Sequence, residues 1–212
     1  ISLGLVGSEM CIRDRIIAGC TVRRMAGSGL IMDGGFRNQL IGCDFHTLGR
    51  LGSRIAGGDR PSLTPGEHVI ANCRFRHFGR IDRTYTPAIL LEGVGNRIAH
   101  CLFENCPSSA LRIEGNDHII EYNELRQVVL ESDDQGAIDM WNNPTYRGVV
   151  FRYNLLADIG DGGGLHAGQG GIRLDDVICG VLIYGNVFHR AGRGFGGVAM
   201  NCGCLLYTSP SP

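Results

Sequence analysis

The chain has 212 residues, a formal net charge of −1 and 20 basic residues, all of which are arginine. The absence of lysine excludes a P-loop phosphate site, a Schiff-base lysine and a lysine general base from this sequence. The near-neutral charge, the scattered arginines and the lack of an apolar run of roughly 20 residues indicate neither a nucleic-acid partner nor a membrane partner.

The two ends of the chain differ in character from its middle. The DNA complement of a back-translation of CLLYTSPSP, residues 204–212, can encode GSEMCIRD, residues 7–14. Two unrelated protein segments do not share one DNA duplex of this length by chance. We therefore predict that 1–15 and 204–212 are translated sequencing-adapter sequence. The remaining 16–203 are expected to form one domain, a fragment of a longer protein.

A weak motif recurs along this domain: an apolar residue, two variable residues, Cys or Asn, one variable residue and another apolar residue. Seven copies follow one another at intervals of 22 to 32 residues. In chain order they are IAGCTV (17–22), LIGCDF (40–45), IANCRF (70–75), IAHCLF (98–103), IEYNEL (120–125), FRYNLL (151–156) and IYGNVF (183–188). Self-similarity at this period predicts a solenoid in which each repeat forms one coil.

Most copies are followed by a second segment that opens with a small residue and alternates apolar with polar positions, such as SSALRIEG, QGAIDMW and GGIRLDD. Alternation with period two indicates strands. Leucine-rich repeats are the alternative, but the leucine positions of that repeat are not kept and no segment has helical periodicity. The predicted fold is an all-β, right-handed parallel β-helix of about seven coils, truncated at both ends.

The central residue of the motif is Cys at 20, 43, 73 and 101, and Asn at 123, 154 and 186. Stacked coils lie about 4.8 Å apart, so we expect these side chains to form one inward column. Asn can satisfy buried backbone groups there, and Cys can act as a small apolar residue. Free thiols are therefore expected, with disulfides or a metal as the alternatives. The cysteines outside the two ends include no C-x-x-C pair.

The segments NDHIIEYNEL, ESDDQGAIDMW, RGVVFRYNLLADIGDGGG, GGIRLDD and GVLIYGNVFHRAG occur in this order. They resemble right-handed β-helix repeat proteins of the pectate-lyase-like superfamily. Within it, they are most similar to glycoside hydrolases that carry D-D-x-G-A-I, Y-N-x-x, I-x-L-D-D and G-N-x-F. The resemblance is specific over 116–203 and generic over 16–115. Two departures are Asp139, where relatives have an aromatic residue, and NNPTYRG (142–148), which replaces a more basic stretch.

The resemblance implies a carbohydrate-active protein acting on a plant or algal cell-wall-type polysaccharide, outside the cell or in the periplasm. The alternating segments also predict where the chemistry lies, because the polar positions of successive coils should form one outward, solvent-facing stripe. A loop adds further acids before one of these strands, and a glycine-rich loop at 160–171 could form a wall. The predicted substrate-binding residues are Arg112, Glu114, Asp133, Asp139, Trp141, His166, Arg173, Asp176 and Asn201.

Glycoside hydrolysis needs one protonated and one ionised carboxyl, and crowded aspartates raise one pKa by like-charge repulsion. We predict Asp134 and Asp175 as the catalytic pair, with no metal or cofactor. Their separation, and with it a retaining or an inverting reaction, stays open. The full-length protein is expected to be a monomer that binds a polysaccharide or oligosaccharide.

Two alternatives have sequence support. In a Ca²⁺-dependent polysaccharide lyase, Arg173 or Arg112 would be the base. A non-catalytic β-helix would be an adhesin stalk or a carbohydrate-binding module. The segment CRFRHFGR (73–80) interleaves aromatic residues with arginines, as some nucleic-acid-binding strands do. In a chain of net charge −1 it is interpreted as the polar outer face of a coil.

Overall fold

The computed structural model describes residues 14–160 and 168–201. Residue 201 is described by its backbone alone. The described residues form strands and turns, with no helix among them, and the strands build three parallel sheets. Sheet 1 contains β1 (Ile16–Ala18), β4 (Gln39–Ile41), β8 (Val69–Ala71), β11 (Arg97–Ala99), β14 (Ile119–Glu121), β17 (Val150–Arg152) and β20 (Leu182–Tyr184).

Sheet 2 contains β2 (Thr21–Met25), β5 (Asp44–Leu48), β9 (Arg74–Arg76), β12 (Leu102–Glu104), β15 (Glu124–Arg126), β18 (Leu155–Ile159) and β21 (Val187–Ala191). Sheet 3 contains β3 (Leu30–Asp33), β6 (Ser53–Asp59), β10 (Ile89–Val94), β13 (Leu111–Asn116), β16 (Gln135–Trp141), β19 (Gln169–Asp175) and β22 (Gly194–Asn201). The short β7 (Thr64–Pro65) pairs antiparallel with β6.

Each coil supplies one strand to sheet 1, one to sheet 2 and one to sheet 3, and each strand pairs with the equivalent strand of the next coil. Seven coils are therefore stacked, and the predicted parallel β-helix is confirmed. The repeat motif spans β1 to β2 and its equivalents, and the alternating segments form sheet 3. Inward residues of successive coils share a register, which places Phe45, Phe75 and Phe103 in one stack with ring centroids 4.6 and 5.3 Å apart.

The predicted column of Cys and Asn is present at the turn between sheets 1 and 2. The backbone N–H of Cys43 lies 3.4 Å from Sγ of Cys73, and the next coil repeats this contact to Cys101. The backbone N–H of Asn123 donates to Oδ1 of Asn154 at 3.0 Å. Asn154 Nδ2 donates to the carbonyl of Ile120 at 3.0 Å. The cysteines that the structure describes are free thiols, in agreement with the prediction.

A second polar column, which the sequence did not predict, lies at the turn between sheets 3 and 1. Asn38, His68, Asn96 and His118 alternate along it, and each backbone N–H donates to the next side chain at 3.0–3.1 Å. His118 accepts at Nδ1, and Nε2 lies 3.3 Å from the carbonyl of Glu114. These bonds require the neutral imidazole with its proton on Nε2. Burial lowers the pKa of His118 to about 4.

The asparagine column gives a stability prediction. In Asn154→Ala the Asn123 N–H and the Ile120 carbonyl lose their partner inside the solenoid, where unsatisfied polar groups are costly. We expect the free energy of unfolding to fall by about 3 kcal/mol. Denaturant unfolding would measure the change. Asn143→Ala is the control, because the Asn143 side chain accepts hydrogen bonds from nearby Thr145 in an exposed loop, and equal losses in the two variants would contradict the prediction.

The neutral imidazole of His118 gives a pH prediction. The folded-state pKa of about 4 is below the ordinary value of 6.5. Between these two pH values the His118 imidazole therefore binds a proton in the unfolded chain but not in the folded chain. Stability present above pH 6.5 is therefore lost as the pH falls towards 4, by up to about 3 kcal/mol. His118→Asn, which copies Asn96, should weaken this dependence in unfolding curves. In the exposed control His77→Asn the pH dependence of the free energy of unfolding should persist. An unchanged pH dependence in His118→Asn would show that His118 is not its source.

Candidate functional site

The predicted stripe lies on the outer face of sheet 3, with its members in register. Arg112 pairs with Asp139 and Asp139 with Arg173 in successive strands, while Trp141 pairs with Asp175. The stripe therefore forms two parallel rows that run along the solenoid axis. The alternation in the sequence predicted both rows, because inward and outward side chains exchange at every residue of a strand.

Arg173 is the centre of this site. Its Nη2 bonds Oδ1 of Asp134 at 2.7 Å and also bonds Oδ2 of Asp175, and its Nη1 lies 3.3 Å from Oδ1 of Asp139. The strand register brings Asp139 and Asp175 to Arg173, whereas Asp134 comes from the loop before β16. The hydroxyl of Tyr85 lies 3.4 Å from Oδ2 of Asp134. Three carboxylates from different parts of the chain thus converge on one guanidinium.

The expectation that the whole stripe faces solvent is wrong for this cluster. Asp139, Arg173 and Asp175 point outward from the coil, but only 2%, 4% and 6% of their surfaces are exposed. Asp134 is the accessible member, with 43% of its side chain exposed. The physical reason is that charges of opposite sign were brought together in adjacent strands, where each covers its neighbour. The alternation of apolar and polar residues predicts which way a side chain points, but it does not predict whether neighbouring side chains shield that side chain from solvent.

The cluster carries more negative than positive charge, so one of its carboxyls favours a proton. Asp139 is the one that responds most clearly: burial raises its pKa from 3.8 to about 6, and the attraction of Arg173 and Arg112 opposes part of that rise. Near pH 6 Asp139 is therefore partly protonated. The sequence predicted Asp139 as a substrate-binding residue and gave no sign of this raised pKa.

Beside the cluster, Trp141 is 37% exposed and its ring lies under the Arg112 guanidinium, 4.7 Å from the ring centroid. Nε of Arg112 also donates to Oε1 of Glu114 at 2.6 Å. The hydroxyl of Tyr146 lies 3.5 Å from Oε2 of Glu114. The four side chains form one polar and aromatic patch on the coils that carry the Arg173 cluster.

Two residues of the surrounding wall were not predicted. Arg60, from the β6–β7 hairpin, stacks 4.7 Å from the Tyr146 ring and donates to Asn116 at 3.1 Å and to Thr145 at 2.6 Å. Arg60 reaches these partners from three coils away. No local sequence signal could show this, because the hairpin folds back only in the tertiary structure. Tyr85 is a similar case, since it belongs to the long loop before β10.

The other predicted site residues lie near the cluster or outside the described residues. Oδ1 of Asp133 accepts the N–H of Gly168 at 2.8 Å. Asp176 is exposed, just beyond the end of β19, in the left-handed conformation with φ of 43°. The backbone of Asn201 pairs with Asp175, and its side chain is outside the described set. His166 lies outside it altogether.

Among the described residues, no three His, Cys, Asp or Glu side chains are placed to hold a metal ion. The point on which Asp134, Asp139 and Asp175 converge is taken by the cation of Arg173. Within the same ranges, no helix is long and apolar enough to cross a membrane.

The charge balance of the cluster gives a stability prediction. Arg173→Met leaves three neighbouring carboxylates without their shared cation, so we expect the free energy of unfolding at neutral pH to fall by about 3–5 kcal/mol. Adding Asp139→Asn should recover part of that loss, because it removes one of the repelling charges. Denaturant unfolding of both variants would show this.

Arg37→Met is the matched control, because the ion pair between Arg37 and Asp14 is exposed on both sides and surface pairs of this kind contribute little to stability. A loss in Arg173→Met as small as that of the control would show that the cluster contributes little to stability.

Comparison with known families agrees with the coil architecture. The profile of the right-handed beta helix region matches residues 11–167, well over half of the chain. Comparisons with curated proteins and with solved structures gave no match. The stacked coils and the family match lead to one conclusion: this chain belongs to the right-handed β-helix family.

Proposed function

We propose that this chain is the site-bearing part of a glycoside hydrolase that acts on a plant or algal cell-wall-type polysaccharide. The observation that carries the proposal is the convergence of Asp134, Asp139 and Asp175 on Arg173, next to the half-exposed Trp141. Glycoside hydrolysis requires two carboxyl groups, and this cluster brings three carboxyl groups to one guanidinium.

Within the cluster, Asp134 and Asp175 are the proposed catalytic pair. Asp134 is accessible to a substrate, and Asp175 is held by Arg173 in a fixed position. Both accept a hydrogen bond from the same nitrogen, so their bonded oxygens are at most about 6 Å apart, twice the length of one such bond. Retaining glycosidases have carboxyl groups about 5–5.5 Å apart, and inverting enzymes about 6.5–9.5 Å. The short separation supports a retaining reaction.

The surroundings of the pair support a sugar as the ligand. The exposed part of Trp141 offers an apolar surface for the C–H face of a pyranose ring. Arg112, Glu114 and Tyr146 offer donors and acceptors for its hydroxyl groups. Asp175 Oδ1 and Arg173 Nε are buried without a hydrogen-bond partner among the described residues. A substrate hydroxyl that reached them would relieve this cost.

The lyase alternative has less support. Arg173, its first candidate base, already donates to three carboxylates and is only 4% exposed, so the C5 proton of a substrate would have to reach a buried side chain. Arg112, its second candidate, is stacked on Trp141 and bonded to Glu114. The Ca²⁺ ion that a lyase needs to neutralise the uronate would have to displace a buried guanidinium.

A non-catalytic carbohydrate-binding β-helix is the second candidate function. The deep burial of Asp139, Arg173 and Asp175 favours it, because a buried cluster of paired charges can serve as a structural element between coils. Trp141 and the patch around it would then bind a sugar without cleaving it.

Activity of carboxamide variants separates these candidates. Asp134→Asn and Asp175→Asn each keep the shape of the side chain and remove its acid–base function, so we expect each to lower kcat on a cleavable polysaccharide by at least about a hundredfold. Reducing ends measure hydrolysis. Ultraviolet absorbance of an unsaturated product measures elimination.

The control is Glu124→Gln, which removes a carboxylate on sheet 2 that is 42% exposed and paired with Arg126. Full activity in both cluster variants would refute the catalytic pair. Unsaturated products would establish the lyase, and binding without any product would establish the non-catalytic candidate.

A further inference from the structure

A polar groove lies along the corner between sheets 2 and 3, and its lining residues include no member of the Arg173 cluster. It consists of two cavities of about 510 and 410 Å³ that share Asn105 and Leu130. The larger lies between the loop 77–88 and the loop 127–134, and the smaller continues past Leu130 to β18 and β21. We name this continuous depression the corner groove.

The corner groove is preformed, because backbone hydrogen bonds brace both loops against the preceding coil. The N–H groups of Arg80 and Ile81 donate to the carbonyls of Leu48 and Gly49 at 3.1 and 2.9 Å. In the same way, the N–H of Glu131 donates to the carbonyl of Pro107 at 3.1 Å. A preformed groove binds a ligand without paying the entropy of ordering its walls.

The lining of the corner groove is cationic in a chain whose net charge is −1. Arginines exceed acidic residues along it by two to one: Arg80, Arg83, Arg190 and Arg193 against Glu131 and Asp158. Arg83 pairs with Glu131 and Arg190 with Asp158, each with Nε 2.5 Å from the carboxylate. All four side chains of these two ion pairs are well exposed. Exposed pairs of this kind contribute little energy, so an incoming anion can replace the carboxylate at little cost.

The remaining lining suits a linear sugar chain. Thr47, His77, Asn105 and Gln127 come from four successive coils and present one polar side chain per coil. Coils repeat about every 4.8 Å, a spacing comparable with the length of one sugar residue. Leu130 and Pro107 add apolar surface for ring C–H groups.

Nucleic acid fits this groove less well. The aromatic residues of CRFRHFGR that could stack on bases are Phe75 and Phe78, and both are buried in the core, at 0% and 1% exposure. His77, Phe78 and Arg80 of that segment line the groove, but the buried Phe78 offers no open ring face for stacking. Binding of single strands without base stacking lacks the contribution that normally accompanies the charges.

We infer that the corner groove is a second glycan-binding site, specific for a linear glycan that carries carboxylate or sulfate groups. It is separate from the Arg173 cluster and does not depend on hydrolysis there. The groove would hold an acidic polysaccharide along the solenoid axis while the sheet 3 face remains free.

Calorimetric titration of the full chain tests this inference with three probes of equal length: an oligogalacturonate, a sulfated glucan oligomer and the unmodified glucan oligomer. We expect one or both acidic probes to bind and the neutral probe to bind at least about tenfold more weakly, with affinity falling as salt rises. Carboxylate and sulfate are distinguished by which acidic probe binds more tightly.

Arg80→Gln and Arg190→Gln alter one cavity each and should weaken binding of the acidic probe about tenfold each, and about a hundredfold together. Arg147→Gln is the control: it removes the same charge at an exposed position outside the groove, and it should change the affinity less than about twofold. The Asp134→Asn/Asp175→Asn variant should bind as tightly as the unchanged protein, whether or not the proposed hydrolase function holds.

Four results would overturn the inference. The first three are equal binding of neutral and acidic probes, an equal loss in Arg147→Gln, and tighter binding of a single-stranded RNA of equal length than of any glycan. Loss of binding in the Asp134→Asn/Asp175→Asn variant would also overturn it, because the acidic glycan would then lie in the sheet 3 site.

Discussion

The hydrogen bonding of each coil to the next, in register, is the constraint on which every other feature of this protein depends. Every parallel strand pairs with its equivalent one coil away, so any inward residue lies above and below its counterparts. The interior is narrow and the backbone turns sharply at each corner, which leaves N–H and carbonyl groups inside that no strand can pair. A side chain that satisfies them must be supplied again in every coil, and this requirement produces the repeat in the sequence.

Two corners meet this requirement with different chemistry. At the turn between sheets 1 and 2, thiols of the second to fourth coils accept backbone N–H groups, and asparagines of the last three coils do so. The asparagine side chains also donate to backbone carbonyls, which a thiol does only weakly. At the turn between sheets 3 and 1, asparagine alternates with neutral histidine. Imidazole substitutes for the amide because it presents one acceptor and one donor, and this also couples the fold to pH.

The same stacking concentrates charge on the outer face of sheet 3. A strand places its outward residues directly beside those of its neighbours, so acids and arginines on adjacent coils have to interact. Around Arg173 this produces a buried cluster in which one carboxyl favours a proton, and one exposed carboxylate, Asp134, remains at its edge. In the corner groove, arginines pair with acids at the surface and keep their guanidinium groups accessible. Burial therefore separates a cluster suited to proton transfer from a groove suited to binding anions.

The sequence by itself determined the coil count, the parallel β-helix fold, the Cys and Asn column and the direction in which Arg112, Asp139, Trp141 and Arg173 point. All of these follow from period-two alternation and from a motif that repeats at every coil. Only the tertiary structure decided that Asp139, Arg173 and Asp175 are buried, that Arg60 crosses three coils to Tyr146, and that two loops enclose a cationic groove. These features depend on loops of unequal length, whose paths are set by long-range contacts that no repeat encodes.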